Sequence, residues 1–255
     1  MKKHLIITLF SLLVSGIAMA QEYKVRKTGG KMTLDLSAVT IAGYDGNEVI
    51  FSPGGKDTLS DPRAKGLKVL NGSGYTDNTG LGIDVIENGN TLEVHQVANL
   101  GVDVKILVPR NISFSLECHR MSNTGKIEIK NMTGEIAISA DKNPVTLENV
   151  TGPLTVRALY DPVVVKFSSA FKGPVAIASV YSNVEVYLPQ NVKATVKLAS
   201  SHGEILAAPE LKIALEKNTP ADLVTYGNVV SGKINGGGED FKLTSEYGKI
   251  YLRTK

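Results

Sequence analysis

Gly125-Lys126-Ile127-Glu128-Ile129, Gly134-Glu135-Ile136-Ala137-Ile138, Asn143-Pro144-Val145-Thr146-Leu147, Gly152-Pro153-Leu154-Thr155-Val156 and Asp161-Pro162-Val163-Val164-Val165 are five copies of one pattern. Each copy starts nine residues after the last: a turn residue, a spacer, then apolar, any residue, apolar. After a three-residue insertion the pattern resumes at Gly173-Pro174-Val175-Ala176-Ile177 and Ser182-Asn183-Val184-Glu185-Val186. It loosens at Gly203-Glu204-Ile205 and Gly227-Asn228-Val229, and returns at Gly248-Lys249-Ile250-Tyr251-Leu252. Apolar residues at i and i+2 mark one buried face of a short strand, and the Gly, Asn, Asp and Pro between copies supply turns. Nine residues cannot house a strand and a helix. One such unit buries too little to stand alone, so it must stack on its neighbours as β-solenoid coils do, with two or three units per coil. The rival is an antiparallel β-sandwich or meander of hairpins, which regular turn spacing also permits.

A longer echo points to duplication: Leu107-Val108-Pro109-Arg110-Asn111-Ile112 matches Tyr187-Leu188-Pro189-Gln190-Asn191-Val192, and each leads to a repeat strand, at Gly125 and Gly203. Upstream the grammar changes to hairpins. Asp45-Gly46 lies between Val39-Thr40-Ile41 and Glu48-Val49-Ile50-Phe51, and Asn88-Gly89 between Ile83-Asp84-Val85-Ile86 and Thr91-Leu92-Glu93-Val94. Asp-Gly and Asn-Gly are strong two-residue hairpin turns. Residues 52–80, rich in Gly and Pro, read as a loop and the best candidate for a flexible insertion. The organisation expected is therefore a signal peptide over 1–20, a hairpin region over 21–106 and a strand-repeat region over 107–255. Residues 207–217 offer the best site for a helix, and a short one.

The chain has 255 residues, 42% hydrophobic and 21% charged, with 25 Gly and one Cys. That composition excludes disorder and disulfide scaffolds. Lys2 and Lys3, the apolar run over 5–17 and Ala18-Met19-Ala20 make a secretory signal with cleavage expected before Gln21. The mature chain then carries 26 basic and 25 acidic residues, which makes nucleic acid a poor partner. Cys118 is expected to be an ordinary strand residue, since His119 beside it points to the opposite face. No metal-ligand spacing, nucleophile elbow or phosphate-binding glycine pattern occurs, so no catalytic residue, no cofactor and no membrane span after cleavage are expected. Glu128, Glu148 and Glu185 on the repeat strands read as solvated surface.

The strand ends and turns Ser122-Asn123-Thr124-Gly125-Lys126-Ile127, Met132-Thr133-Gly134-Glu135-Ile136, Glu148-Asn149-Val150-Thr151-Gly152 and Ser200-Ser201-His202-Gly203-Glu204-Ile205 resemble the bacterial putative-adhesin family of β-strand-repeat envelope proteins, a family of unknown function. The resemblance covers 107–255. It implies a right-handed, single-stranded β-solenoid (β-helix or roll) in the periplasm, on the outer envelope or outside the cell, and brings no catalytic residues with it. The rhythm fails over 207–224.

Two sets of residues stand out as candidate sites. A two-residue turn at Asn88-Gly89 places Asp84 opposite Glu93, a like-charge pair that a calcium ion or a Lys would relieve. The position three residues before each repeat's first apolar residue is Thr124, Thr133, Lys142, Thr151, Tyr160, Lys172, Tyr181, His202, Tyr226 and Tyr247. With coils in register, Tyr160, Tyr181, Tyr226 and Tyr247 would form a row along one edge suited to sugar faces, or each ring would simply cover its own turn. The function expected is a non-enzymatic envelope solenoid, adhesin-like or scaffolding, binding a glycan or an envelope protein. The alternatives are a solenoid carbohydrate-active enzyme and an accessory factor of an envelope-stress system.

Overall fold

The structure, a computed structural model, describes residues 22–55, 63, 66–99, 102–119, 125–216 and 227–255. The signal sequence and Tyr226 lie outside the described residues. Among the described residues, alternation of apolar and polar residues builds twenty-one strands in two mixed sheets. The repeats form β9 (Ile127–Lys130), β10 (Ile136–Ala140), β11 (Val145–Val150), β12 (Leu154–Ala158), β13 (Val163–Phe167), β14 (Val175–Ser179) and β15 (Val184–Leu188). Consecutive repeats do not pair with one another. Each pairs in parallel with the repeat two steps away: Ile127 with Val145 and Val145 with Val163 in the first sheet, Ile136 with Leu154 and Leu154 with Val175 in the second. One circuit of the chain is thus two nine-residue units, one strand in each sheet. Hairpins between sequential repeats are absent from this region, which corrects the antiparallel alternative there.

Inward residues of both sheets form one core: Ile127, Ile129, Val145, Leu147, Val163 and Val165 have no exposed surface, and Ile136, Ile138, Leu154 and Val156 at most 3%. The three-residue insertion, Ser168 to Ala170, sits at the corner between β13 and β14, and Phe171 beside it packs edge-on against the buried Phe167 at 5.0 Å. The Pro-Asn echo marks equivalent corners. Ile112 N–H donates to Pro109 O at 3.0 Å and Val192 N–H to Pro189 O at 3.1 Å, leading into β8 (Ser113–Cys118) and β16 (Ala194–Ser200).

The two ends of the stack depart from sequence order. β2 (Lys31–Asp35) lies between β8 and β6 (Thr91–Gln96), and β3 (Val39–Tyr44) lies between β9 and β7 (Val104–Pro109), all in parallel. At the other end β20 (Glu239–Ser245) and β21 (Ile250–Thr254), the last strands in sequence, insert between β14–β15 and the circuit formed by β16 and β17 (Ile205–Ala207). The repeat at Gly248 is therefore interior to the stack, paired on both sides. Among the described residues the stack runs through eight circuits: β6–β7, β2–β3, β8–β9, β10–β11, β12–β13, β14–β15, β20–β21 and β16–β17. Antiparallel strands cover its outer circuits: β4 (Glu48–Pro53) on β7 with β1 (Tyr23–Arg26) beyond it, β5 (Ile83–Asn88) on β6, and β19 (Asn228–Ile234) on β16 with β18 (Ala214–Leu215) beyond it.

Two local expectations fail. The Asp45-Gly46 turn does not close a hairpin, because β7 lies between β3 and β4 and takes the edge of each. The expected helix over 207–217 is a three-residue 3-10 turn, Pro209–Leu211, followed by β18.

Leu147 is fully buried between the sheets, so Leu147→Ala should cost about 2–5 kcal/mol in urea unfolding. Gly248 has no room for a Cβ, which would fall on the Ser182 carbonyl of the next circuit. Gly248→Ala should cost about 1–3 kcal/mol in the same measurement.

Candidate functional site

Where each strand of the second sheet turns toward the first, the inward corner residue is small: Cys118, Ala140, Ala158, Ser179, Ser245 and Ser200 in stack order. Two positions on from Ala140, Ala158, Ser179, Ser245 and Ser200 comes an outward side chain, and three on a tight turn residue. The sequence Ser-x-(Tyr or His)-(Gly or Ser) recurs as Ser179-Val180-Tyr181-Ser182, Ser245-Glu246-Tyr247-Gly248 and Ser200-Ser201-His202-Gly203. Each serine closes its own turn, and Ser245 and Ser200 also reach the next circuit. Ser245 Oγ accepts from Gly248 N–H at 3.0 Å and donates to Ser182 O at 3.0 Å; Ser200 Oγ accepts from Gly203 N–H at 2.9 Å and donates to Gly248 O at 3.1 Å. Backbone pairing continues through the corner: Tyr160 N–H donates to Asp141 O at 3.0 Å, Tyr181 N–H to Leu159 O at 2.8 Å, Tyr247 N–H to Val180 O at 2.8 Å and His202 N–H to Glu246 O at 2.9 Å.

This backbone register brings the outward side chains into a column. Tyr160 stacks on Tyr181 at 5.2 Å and 8°, Tyr181 on Tyr247 at 5.3 Å and 11°, and Tyr247 on His202 at 4.6 Å and 10°. Lys142 Nζ lies 5.8 Å from the Tyr160 ring centre and closes the other end. The order Lys142, Tyr160, Tyr181, Tyr247, His202 is that of the stack, because the last circuit in sequence is inserted. Tyr160, Tyr181 and Tyr247 remain 44%, 54% and 50% exposed, and their hydroxyls make no hydrogen bond within the described residues. The position read as one column divides between two corners. Thr133, Thr151 and Lys172 sit at the opposite corner, since alternate nine-residue units turn at alternate ends of the sheets.

The column has a consequence for recognition. Its ring faces are occupied by neighbouring rings, so a sugar cannot lie on an inner face. What it presents outward is a line of ring edges and phenol hydroxyls. Beside it Lys249 Nζ donates to Glu204 Oε2 at 2.7 Å across two circuits. That hydrogen bond, with the attraction of the two charges, holds the Glu204 carboxyl below its usual range and raises Lys249.

The carboxylate pair is separated. The turn residues are Gly89 and Asn90 rather than Asn88 and Gly89, because Asn88 pairs with Thr91, and the register moves by two: Asp84 faces His95 and Glu93 faces Ile86. Asp84 is buried and its carboxylate accepts from Thr76 N–H at 3.4 Å. Glu93 lies 3.7 Å from His95 Nε2, and His95 stacks on Tyr75 at 4.0 Å. No group of three or more His, Cys, Asp or Glu residues able to hold a metal ion occurs among the described residues. Glu128 pairs with Lys126 at 2.8 Å, Glu148 lies between Lys130 and Lys166 at 3.7 and 3.9 Å, and Glu185 accepts from Tyr187 and Arg253. Cys118 is buried with its thiol 2.9 Å from Asn143 Oδ1, while the exposed His119 pairs with Asp141 at 3.1 Å, so the two point to opposite faces.

No protein-family model matches the chain, and a comparison with curated proteins found no match. Among solved structures, a putative cell adhesion protein from Clostridium sporogenes is similar at 16% identity and a TM-score of 0.44, over 93% of this chain and 100% of that one. A putative adhesin from Bacteroides fragilis is similar at 10% identity and a TM-score of 0.25, over 93% of this chain and 96% of that one. Both likenesses are too distant to carry an activity across.

Tyr181 has two stacked neighbours, so Tyr181→Ala should cost about 1–3 kcal/mol in urea unfolding, far more than truncation of an isolated exposed ring. Glu204 titrates lower in the folded chain, so its contribution to stability is present above the usual carboxylate range and lost as pH falls through the lowered value. Glu204→Gln should remove that component from the acid limb of a Tm-against-pH curve.

Proposed function

We propose that this chain is an exported, non-enzymatic β-solenoid of the cell envelope, adhesin-like or scaffolding, that binds a glycan or another envelope component along its exposed tyrosine column. The observation that carries this reading is the half-exposed line of three phenol hydroxyls without hydrogen-bond partners among the described residues, held at near-constant spacing by the backbone. A line of donors and acceptors repeating at about the strand spacing fits an extended polymer better than a compact small molecule. The circuits pairing every second repeat support the solenoid reading. The outward glutamates on the repeat strands are engaged with Lys, Arg or Tyr, which argues against a pair of free catalytic carboxylates. No helix among the described residues is long and apolar enough to cross a membrane.

The test compares wild type, Tyr160→Phe/Tyr181→Phe and Tyr160→Ala/Tyr181→Ala for retention on arrayed uncharged bacterial and host glycans, with Tm measured alongside. The Phe pair keeps the stack and removes two hydroxyls. It is expected to hold Tm and lose retention, while the Ala pair loses both. Unchanged retention in the Ala pair, with lowered Tm, leaves the column a purely structural device and overturns its role in binding. Turnover of a polysaccharide that depends on particular acidic residues overturns the non-enzymatic reading.

A further inference from the structure

On the outer face of the second sheet, β14 presents only Ala176 and Ala178 to solvent, between taller side chains on its two neighbours. In register, Thr155 and Lys242 flank Ala176, and Arg157 and Thr244 flank Ala178. The result is an open trough of about 230 Å³ with an alanine floor, running along β14 with Lys242 on one wall and Arg157 on the other, two residues further on. Beyond Lys242, Lys197 of β16 occupies the same register row. Arg157, Lys242 and Lys197 are exposed and make no ion pair or hydrogen bond among the described residues. The carboxylate next along β20, Asp240, is in register with Thr195 and forms no ion pair with either lysine. Two lysines side by side across parallel strands repel each other unless an anion lies near. This contrasts with the outer face of the first sheet, where the cations Lys130, Lys166 and Arg253 are all matched to Glu148 or Glu185.

The geometry points to this trough as a binding site for an acidic polysaccharide, one chain wide and seated along β14. The alanine floor admits the ring of a sugar against the sheet, where any longer side chain on β14 would exclude it. Cations on alternating walls suit an extended polymer whose successive residues project their carboxylates to alternate sides, and the flanking threonines supply hydroxyls for neutral sugar oxygens. A flat bilayer needs no trough, and a nucleic acid would require a wider basic surface than a nearly neutral mature chain offers.

The purified chain is tested against β-1,4-linked mannuronate oligomers, their uncharged ester and double-stranded DNA at low and physiological salt. The expected result is retention of the acid oligomer, weakened by salt and lost with the ester. Arg157→Ala/Lys242→Ala should reduce retention at least tenfold with Tm unchanged, and Lys130→Ala, on the outer face of the first sheet, should leave retention unaltered. Ala178→Leu keeps every charge and fills the trough, and it should abolish retention. Tyr160→Phe/Tyr181→Phe should leave this binding intact, which separates failure here from failure of the tyrosine column. Equal retention of DNA, or retention unaffected by either the double substitution or Ala178→Leu, overturns the assignment.

Discussion

Parallel backbone pairing between circuits sets where every strand, corner and outward side chain of the stack lies. Once Ile127 is set against Val145 and Val145 against Val163, the paired strand residues of one circuit have equivalents in the next, a strand spacing away. The corner must then repeat as faithfully as the strands do. It repeats through small inward residues, with Ser245 and Ser200 each closing its own turn and reaching the neighbouring circuit. Any side chain pointing outward from such a corner is placed above its equivalent whether or not the two attract. The tyrosine column follows from the backbone, and the stacking energy is added to it.

A parallel stack has the weakness of open ends, where unpaired strand edges invite association with other chains. Both ends here are treated alike. A pair of strands near each chain terminus, β2–β3 and β20–β21, sits one circuit inside the end, and the end circuit is formed by an inner stretch of sequence. Antiparallel strands then cover the end circuit: β4 and β5 at one end, β19 at the other. Among the described residues the outermost strands are β17 with three residues and β18 with two at this end, and β1 with four and β5 with six at the other. Edges as short as β17, β18 and β1 give little template for pairing.

The repeat was legible in the sequence because burial on one face imposes apolar residues at i and i+2, and ten predicted core positions from Ile127 to Val165 are all buried. The number of strands per circuit was not legible. Nine-residue units that alternate between two sheets look identical to units that all lie in one. That ambiguity merged Thr133, Thr151 and Lys172 with the tyrosines of the opposite corner. Asp45-Gly46 misled for a different reason: a local turn preference sets the direction of the chain but not its partner, and β7 competes successfully for both β3 and β4. At residues 88–91 the hairpin was right and its register wrong by two, which was enough to part Asp84 from Glu93. Strand order at the ends depends on pairings as distant as Ala178 with Thr244, for which no local signal exists. The trough was hidden for the same reason, since Arg157, Ala178 and Lys242 meet only through that order.

The strands latest in sequence lie inside the stack, and native-state hydrogen exchange reads whether they are paired on both sides. With β20 paired to β14 and β16, and β21 to β15 and β17, the amides of Phe241, Leu243, Ile250 and Leu252 should exchange as slowly as those of Leu154 and Val156. Exchange of residues 239–254 at rates typical of a fraying terminus, with the repeats from 125 to 188 still protected, would contradict it.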